Sequence, residues 1–181
     1  MEGEYTGWWY AVYPWSFVKN NDPLPFFLHC DDVEYGLRFN REVPIPRRTE
    51  HPIIVKGIQV WHEIAADRPS KIINEYYDRR NPLIVNALYG KLPDMDVLYA
   101  DWFDCITKVH RVGDFQTEYF RIRAFLDFLH GSKWFYRVDS EKNHEALQNH
   151  KPNRYENAIL WRITRKLFQR RQKRGWKWEE S

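Results

Sequence analysis

Residues 115–131, FQTEYFRIRAFLDFLHG, decide how this chain is read. Phe115, Tyr119, Ile122, Leu126 and Leu129 recur every three or four residues, and Phe125 and Phe128 widen the stripe. That spacing is the period of an α-helix with a broad apolar face. Gly113 and Asp114 turn the chain ahead of it, and Gly131 is a suitable stop.

Working outward, the same period recurs on both sides. Asp94 can cap a helix that places Leu98, Trp102, Cys105, Ile106 and Val109 on one face. Ser70 can cap another that carries Ile72, Ile73, Tyr76 and Tyr77. Asn81 and Pro82 predict a break, followed by a short helix over residues 83–89 that ends at Gly90. Pro52 suits the first position of a helix with Ile54, Ile58, Trp61 and Ala65 in line and Ile53, Val60 and Ile64 beside them. Downstream, residues 134–138 (WFYRV) read as a strand. Ser140 and Glu141 open a short helix to Asn149, and Pro152 separates it from the last helix.

The first forty residues differ in texture. Residues 7–13 (GWWYAVY) and 24–30 (LPFFLHC) are aromatic runs bounded by Pro, Asn and Asp. Val33, Tyr35, Leu37 and Phe39 alternate with Glu34, Gly36 and Arg38, the period of a half-buried strand. The expected fold class is therefore α+β and helix-dominated. A small β or extended N-terminal region (about 7–39) precedes a multi-helix body and a long basic C-terminal helix. The expected segments are 1–50, a connector around Pro44 and Pro46 included, then a helical body over 51–153 and a basic helix and tail over 154–181.

Charge is unevenly spread. The 181 residues carry a net charge of +3. Between Arg154 and Trp178 stand nine Lys or Arg against the single Glu156, a local charge of +8 that leaves −5 for the rest. An acidic body with one strongly basic end suggests an acidic partner for that end. On a helical projection Tyr155, Ile159, Leu160, Ile163 and Leu167 fall within about 140° of arc, a stripe expected to pack on the body. Beyond Phe168 the stripe stops and basic residues point in several directions. Arg162, Arg165, Lys166, Arg170, Arg171, Lys173, Arg174, Trp176, Lys177 and Trp178 are the expected contacts to a polyanion or protein partner, with the two indoles free to stack. Membrane insertion is not expected, since the apolar stripe ends before the densest charge.

Catalytic signatures are scarce. His29, Cys30, Asp31 and Asp32 are adjacent potential ligands, of which His29, Cys30 and Asp31 are weak metal candidates, because neighbours in an extended segment alternate faces. His62-Glu63 and His144-Glu145 lack the second His of a metalloprotease pattern, and His144 and His150 stand six apart. Asp94, Asp96, Asp101 and Asp104 cluster, yet Asp101 and Asp104 oppose the apolar stripe of their helix and Lys108 lies one turn beyond Asp104. Five serines occur without a G-x-S-x-G elbow, and the eight glycines form no phosphate loop. No catalytic residue, cofactor or resident metal is expected.

The aromatic share is 17%, with nine Trp and only eight Gly, more rings than one small core hides. Cys30 and Cys105 make no disulfide framework, the start resembles no leader, and no apolar run is long enough to span a bilayer. These traits fit a reducing intracellular compartment, the mitochondrion included. Together they predict a non-catalytic subunit of a large multi-protein or ribonucleoprotein assembly, held to other subunits or to an RNA or DNA backbone by its basic helix. The alternatives are a free-standing nucleic-acid-binding or regulatory protein, phage-encoded ones included, and a hydrolase built on Asp94–Asp104 or on His29 and Cys30.

Overall fold

Two stretches of the chain, residues 11–44 and 70–178, are described by the computed structural model. They fall in separate units, Met1–Pro69 and Ser70–Ser181. The expected connector beyond Pro44, the helix from Pro52, and most of the run at residues 7–13 lie outside the described residues. Among the described residues every regular element is a helix, so the helix-dominated expectation stands.

In the first unit a short α1 (Trp15–Val18) leads through an irregular stretch to α2 (Asp31–Glu42). The strand expected at residues 33–39 is therefore a helix. The same letters support both periods: Tyr35 and Phe39 are one turn apart, and so are Glu34 and Arg38. Packing decides between them. Tyr35 and Phe39 both meet Phe17 edge-on, at ring separations of 5.2 and 5.1 Å, and both meet Tyr13 at 5.0 and 5.3 Å. Asp31, Asp32 and Glu34 lie in the first turn, where carboxylates complement the helix dipole. Arg38 pairs with the buried Glu34 at 3.1 Å and donates to the Asp22 carbonyl at 2.9 Å, tying the irregular stretch to α2.

The second unit is built on residues 115–131. α5 (Phe115–His130) buries eleven of its sixteen residues, so it is the axis against which the others pack. α4 (Met95–Val112) runs antiparallel to it, stacking Trp102 on Phe125 at 4.9 Å and bringing His110 to Glu118 at 2.9 Å. α8 (Arg154–Lys173) runs parallel, with Asn157 beside Glu118 and Phe168 beside Phe125. A π-turn (Ile73–Tyr77) and α3 (Asp78–Leu88) cover a third side. α6 (Ser132–Phe135) and α7 (Ser140–Asn149) close the end.

Two expectations change here. Residues 134–138 form no strand, because the last residues of α6 and the turn after it occupy them. Nor does Asn81-Pro82 break the chain, since Pro82 lies inside α3. Pro has no N–H to give and its ring crowds the preceding turn. The wider π-turn sits directly upstream, where such a defect is absorbed within the coil.

α8 also turns a different face inward. Asn157, Thr164 and Phe168 are its buried residues, with Phe168 stacked on Tyr99 at 4.6 Å. Asn157 donates to the Glu118 carboxylate and the Phe115 carbonyl, both at 2.9 Å. Tyr155, Ile159 and Ile163, expected inside, are 82%, 58% and 48% exposed. An apolar stripe marks a buried face only if no better one competes. Here the competing face satisfies a buried carboxylate, which open solvent-side isoleucines cannot do. The helix ends in a left-handed Gly175, with the Trp176 amide on the Arg171 carbonyl at 3.0 Å and the Gly175 amide on Gln172 at 3.1 Å.

Two measurements follow from this arrangement. Phe168→Ala should lower unfolding free energy by about 3–5 kcal/mol, while Ile163→Ala should cost under about 1 kcal/mol, in denaturant titrations of each variant. Asp114 caps α5, accepting from the Thr117 amide at 3.1 Å, and pairs with Lys71 at 2.7 Å. The Lys71 hydrogen bond, aided by Thr117, holds its carboxyl down from 3.8 to about 2. A depressed carboxylate stabilises the fold above its unfolded value and stops doing so as pH falls through its folded one. Thermal midpoints should accordingly fall between pH 4 and 2 less steeply in Asp114→Asn than in the wild type.

Candidate functional site

In the first unit, backbone strain and carboxylates coincide. Phe27, His29 and Cys30 have φ of 72°, 60° and 69°, a region that side chains with a Cβ avoid. Each such residue costs of order 1 kcal/mol or more, and strain of this kind concentrates where function requires a particular presentation. The surrounding packing enforces it. Phe26 is fully buried just before the run, and α2 is held after it by the Tyr13, Phe17, Tyr35 and Phe39 rings.

The strained run delivers Asp31 and Asp32 to the first turn of α2, both half-exposed. Asp32 accepts from the Val33 amide at 2.8 Å. Asp31 has no hydrogen-bond or ion-pair partner among the described residues. Three oxygens of the pair thus remain available to a ligand. His29 and Cys30, paired with Asp31 in the sequence as weak metal candidates, are its immediate neighbours. Cys30 takes the N-cap position, making no side-chain cap bond. Among the described residues no group of three or more His, Cys, Asp or Glu side chains is placed to hold a metal ion.

The basic end is differently disposed. Arg162, Arg165, Lys166, Arg170, Lys173, Arg174 and Lys177 are exposed, whereas Arg171 is only partly so. Trp178 is 3% exposed against Phe135, and Trp176 packs edge-on to Phe128 at 5.6 Å beneath the Arg171 guanidinium. These rings complete the unit's own core, so they are not the free stacking platforms expected of them. They also wall a groove of about 570 Å³ with Leu92, Pro93, Asp94 and Met95.

Elsewhere the acidic cluster disperses. Asp104 pairs with Lys108 at 2.5 Å, Asp96 accepts from Gln172, and Asp101 lines a separate groove with Arg121 and Cys105. His144 stacks on Tyr77, and His150 pairs with Glu156 at 2.6 Å. Burial pushes the Tyr77 phenol up to about 12, so it remains neutral.

Against known proteins the decisive likeness is to an enzyme. This chain is similar to galactofuranosyltransferase GlfT2. It is 28% identical over 143 residues to that protein from Mycolicibacterium smegmatis and 27% identical over 145 residues to its counterpart from Mycobacterium tuberculosis. Each match covers 76% of this chain and 21% of the relative, so the chain spans about a fifth of those proteins' length. No family model matches, and no solved structure does.

A glycosyltransferase relative overturns the expectation of a non-catalytic assembly subunit. The structure supplies the physical reason that expectation failed. Much of the aromatic excess taken as interface serves the protein's own packing, including both indoles of the basic end. Asp31 and Asp32 were set aside by reading their segment as extended, which alternates neighbours between faces, whereas both lie in the first turn of α2. Asp and Glu in a first helical turn were the available signal. If the strained run exists to present these carboxylates, Cys30→Gly should raise stability by about 1 kcal/mol in denaturant titration, since Gly accepts its φ freely.

Proposed function

We propose that this chain belongs to a glycosyl-transfer apparatus that moves a galactofuranosyl group from an activated donor to a hydroxyl of a carbohydrate acceptor. The likeness to two galactofuranosyltransferases over three-quarters of the chain carries the proposal. The Asp31–Asp32 pair supports it chemically. In glycosyl transfer an acceptor oxygen bonds to the anomeric carbon as the bond from that carbon to the leaving-group oxygen breaks. The acceptor's proton must go to a base, and a half-exposed carboxylate with unoccupied lone pairs suits that task.

In this reading the two carboxylates take different parts. Asp31 offers both oxygens to the acceptor hydroxyl, while Asp32, anchored on the Val33 amide, has one oxygen free. Both stand in the first turn of α2, where carboxylates complement the helix dipole. Glu34 is committed to Arg38 and stays out of the reaction.

Galactofuranosyl transfer to an oligosaccharide acceptor, followed by product mass, tests this on the full chain. Asp31→Asn or Asp32→Asn should slow transfer by about 10²–10⁴-fold, the usual worth of a positioned general base, with helicity and thermal midpoint unchanged. Wild-type rates in both variants would overturn the assignment.

A further inference from the structure

At about 570 Å³ the groove walled by the two indoles has the size of a small-molecule site, roughly 300–1,000 Å³, whereas the groove beside Arg121 falls below that range at about 250 Å³. Two left-handed glycines build it. Gly90, with φ of 64°, follows α3 and sends the chain along Leu92 and Pro93 into α4. Gly175, with φ of 57°, follows α8 and turns Trp176 and Trp178 back toward the same place. Between them the Gln172 amide donates to the Asp96 carboxylate, tying the end of α8 to the start of α4. Leu92, Pro93, Met95 and the half-buried Trp176 give the groove an apolar and aromatic wall, and Asp94 is set among them. Asp94 differs from its counterparts at other helix starts. Asp114, Asp139 and Asn153 spend their side chains on amides of the helices they precede, but Asp94 makes no such bond. Among the described residues its carboxylate has no hydrogen-bond or ion-pair partner. Lys177 also lines the groove, so the formal charges of its lining cancel.

We infer that this groove binds carbohydrate, a short run of linked sugars lying along it. A sugar ring has a C–H face that packs on aromatic and prolyl surface, and a rim of hydroxyls that donate to a carboxylate. The groove offers both kinds of contact in one lining. A phosphate-bearing ligand would be repelled by Asp94, and a purely apolar one would bury that carboxylate without a donor. A neutral ligand rich in hydroxyls answers the whole lining. That the groove takes sugar follows from its residues alone, and that the sugars are galactofuranosyl units rests on the transfer reading above. None of the residues proposed to react lines it. In a transfer apparatus it would hold acceptor or product rather than take part in the chemistry.

The indole N–H resonances of the isotope-labelled full chain test this as a galactofuranosyl tetrasaccharide is added. The Trp176 and Trp178 signals should shift saturably. Asp94→Ala should weaken the titration about tenfold, the worth of a hydrogen bond to a charged acceptor. Helicity should hold in that variant, because the Asp94 side chain caps nothing. Trp176→Leu should weaken binding several-fold, read on the Trp178 signal. The same shifts should appear in the Asp31→Asn and Asp32→Asn variants, which separates the groove from the reacting carboxylates. Shifts in a chain that transfers no sugar would support the groove and count against the transfer reading alone. Two results would overturn the inference. One is that neither indole signal moves at saturating sugar. The other is equal titration of the wild type and Asp94→Ala.

Discussion

Asp127 lies in the most buried helix of the second unit with 1% of its surface exposed, and a carboxylate there must be answered by donors. Tyr76 donates its hydroxyl to Oδ2 at 2.7 Å and Arg123 approaches the same oxygen at 3.3 Å. The Tyr76 oxygen in turn accepts from Arg80 at 2.9 Å and from Asn143 at 3.0 Å. Arg80, 2% exposed, lies over the Tyr76 and Tyr77 rings and bonds Asn81 at 2.9 Å. One anion thus draws the π-turn, α3, α5 and α7 to a common point. Burial, and then the Asp127 charge, push the Tyr76 phenol well above its ordinary range, so it stays a donor. Removing one partner from such a cluster typically costs about 3–5 kcal/mol, more than the cluster adds over an apolar core. Its contribution is specificity of arrangement.

The same logic repeats at the other end of α5. Glu118 is 1% exposed and is met by His110 from α4 and Asn157 from α8. That contact explains the rotation of α8. Its inner face is chosen by Asn157 and Phe168, and Tyr155, Ile159 and Ile163 are left outside as a consequence. Burying polar groups inside therefore exposes apolar ones outside. The exposed apolar face of α8 is the counterpart of the face offered to Glu118.

Much of the helical architecture was legible in the sequence. α4, α5 and α7 follow from their apolar period, although the caps differ from those expected: Asp94 makes no side-chain cap bond, and Asp114 and Asp139, the latter in place of Ser140, accept from amides of their helices. What was not legible has definite physical causes. Residues 33–39 satisfy two periods at once, and only the rings of Tyr13 and Phe17, distant in sequence, select the helix. Pro82 marks a break in isolation but is tolerated beside a π-turn. The orientation of α8 depends on a buried carboxylate 39 residues away, Glu118 against Asn157. At the candidate site the acidic residues were visible, but the left-handed backbone of Phe27, His29 and Cys30 was not. Nothing in a non-glycine side chain announces a positive φ.

Catalysis by the strained turn is the claim on which the functional account stands. Hydrogen–deuterium exchange of the chain, with and without an activated galactofuranosyl donor together with an oligosaccharide acceptor, tests it most directly. The account predicts slowed exchange concentrated over residues 24–36, around the strained turn and the Asp31–Asp32 pair. Unchanged exchange there, with protection confined to residues 70–178, would contradict it.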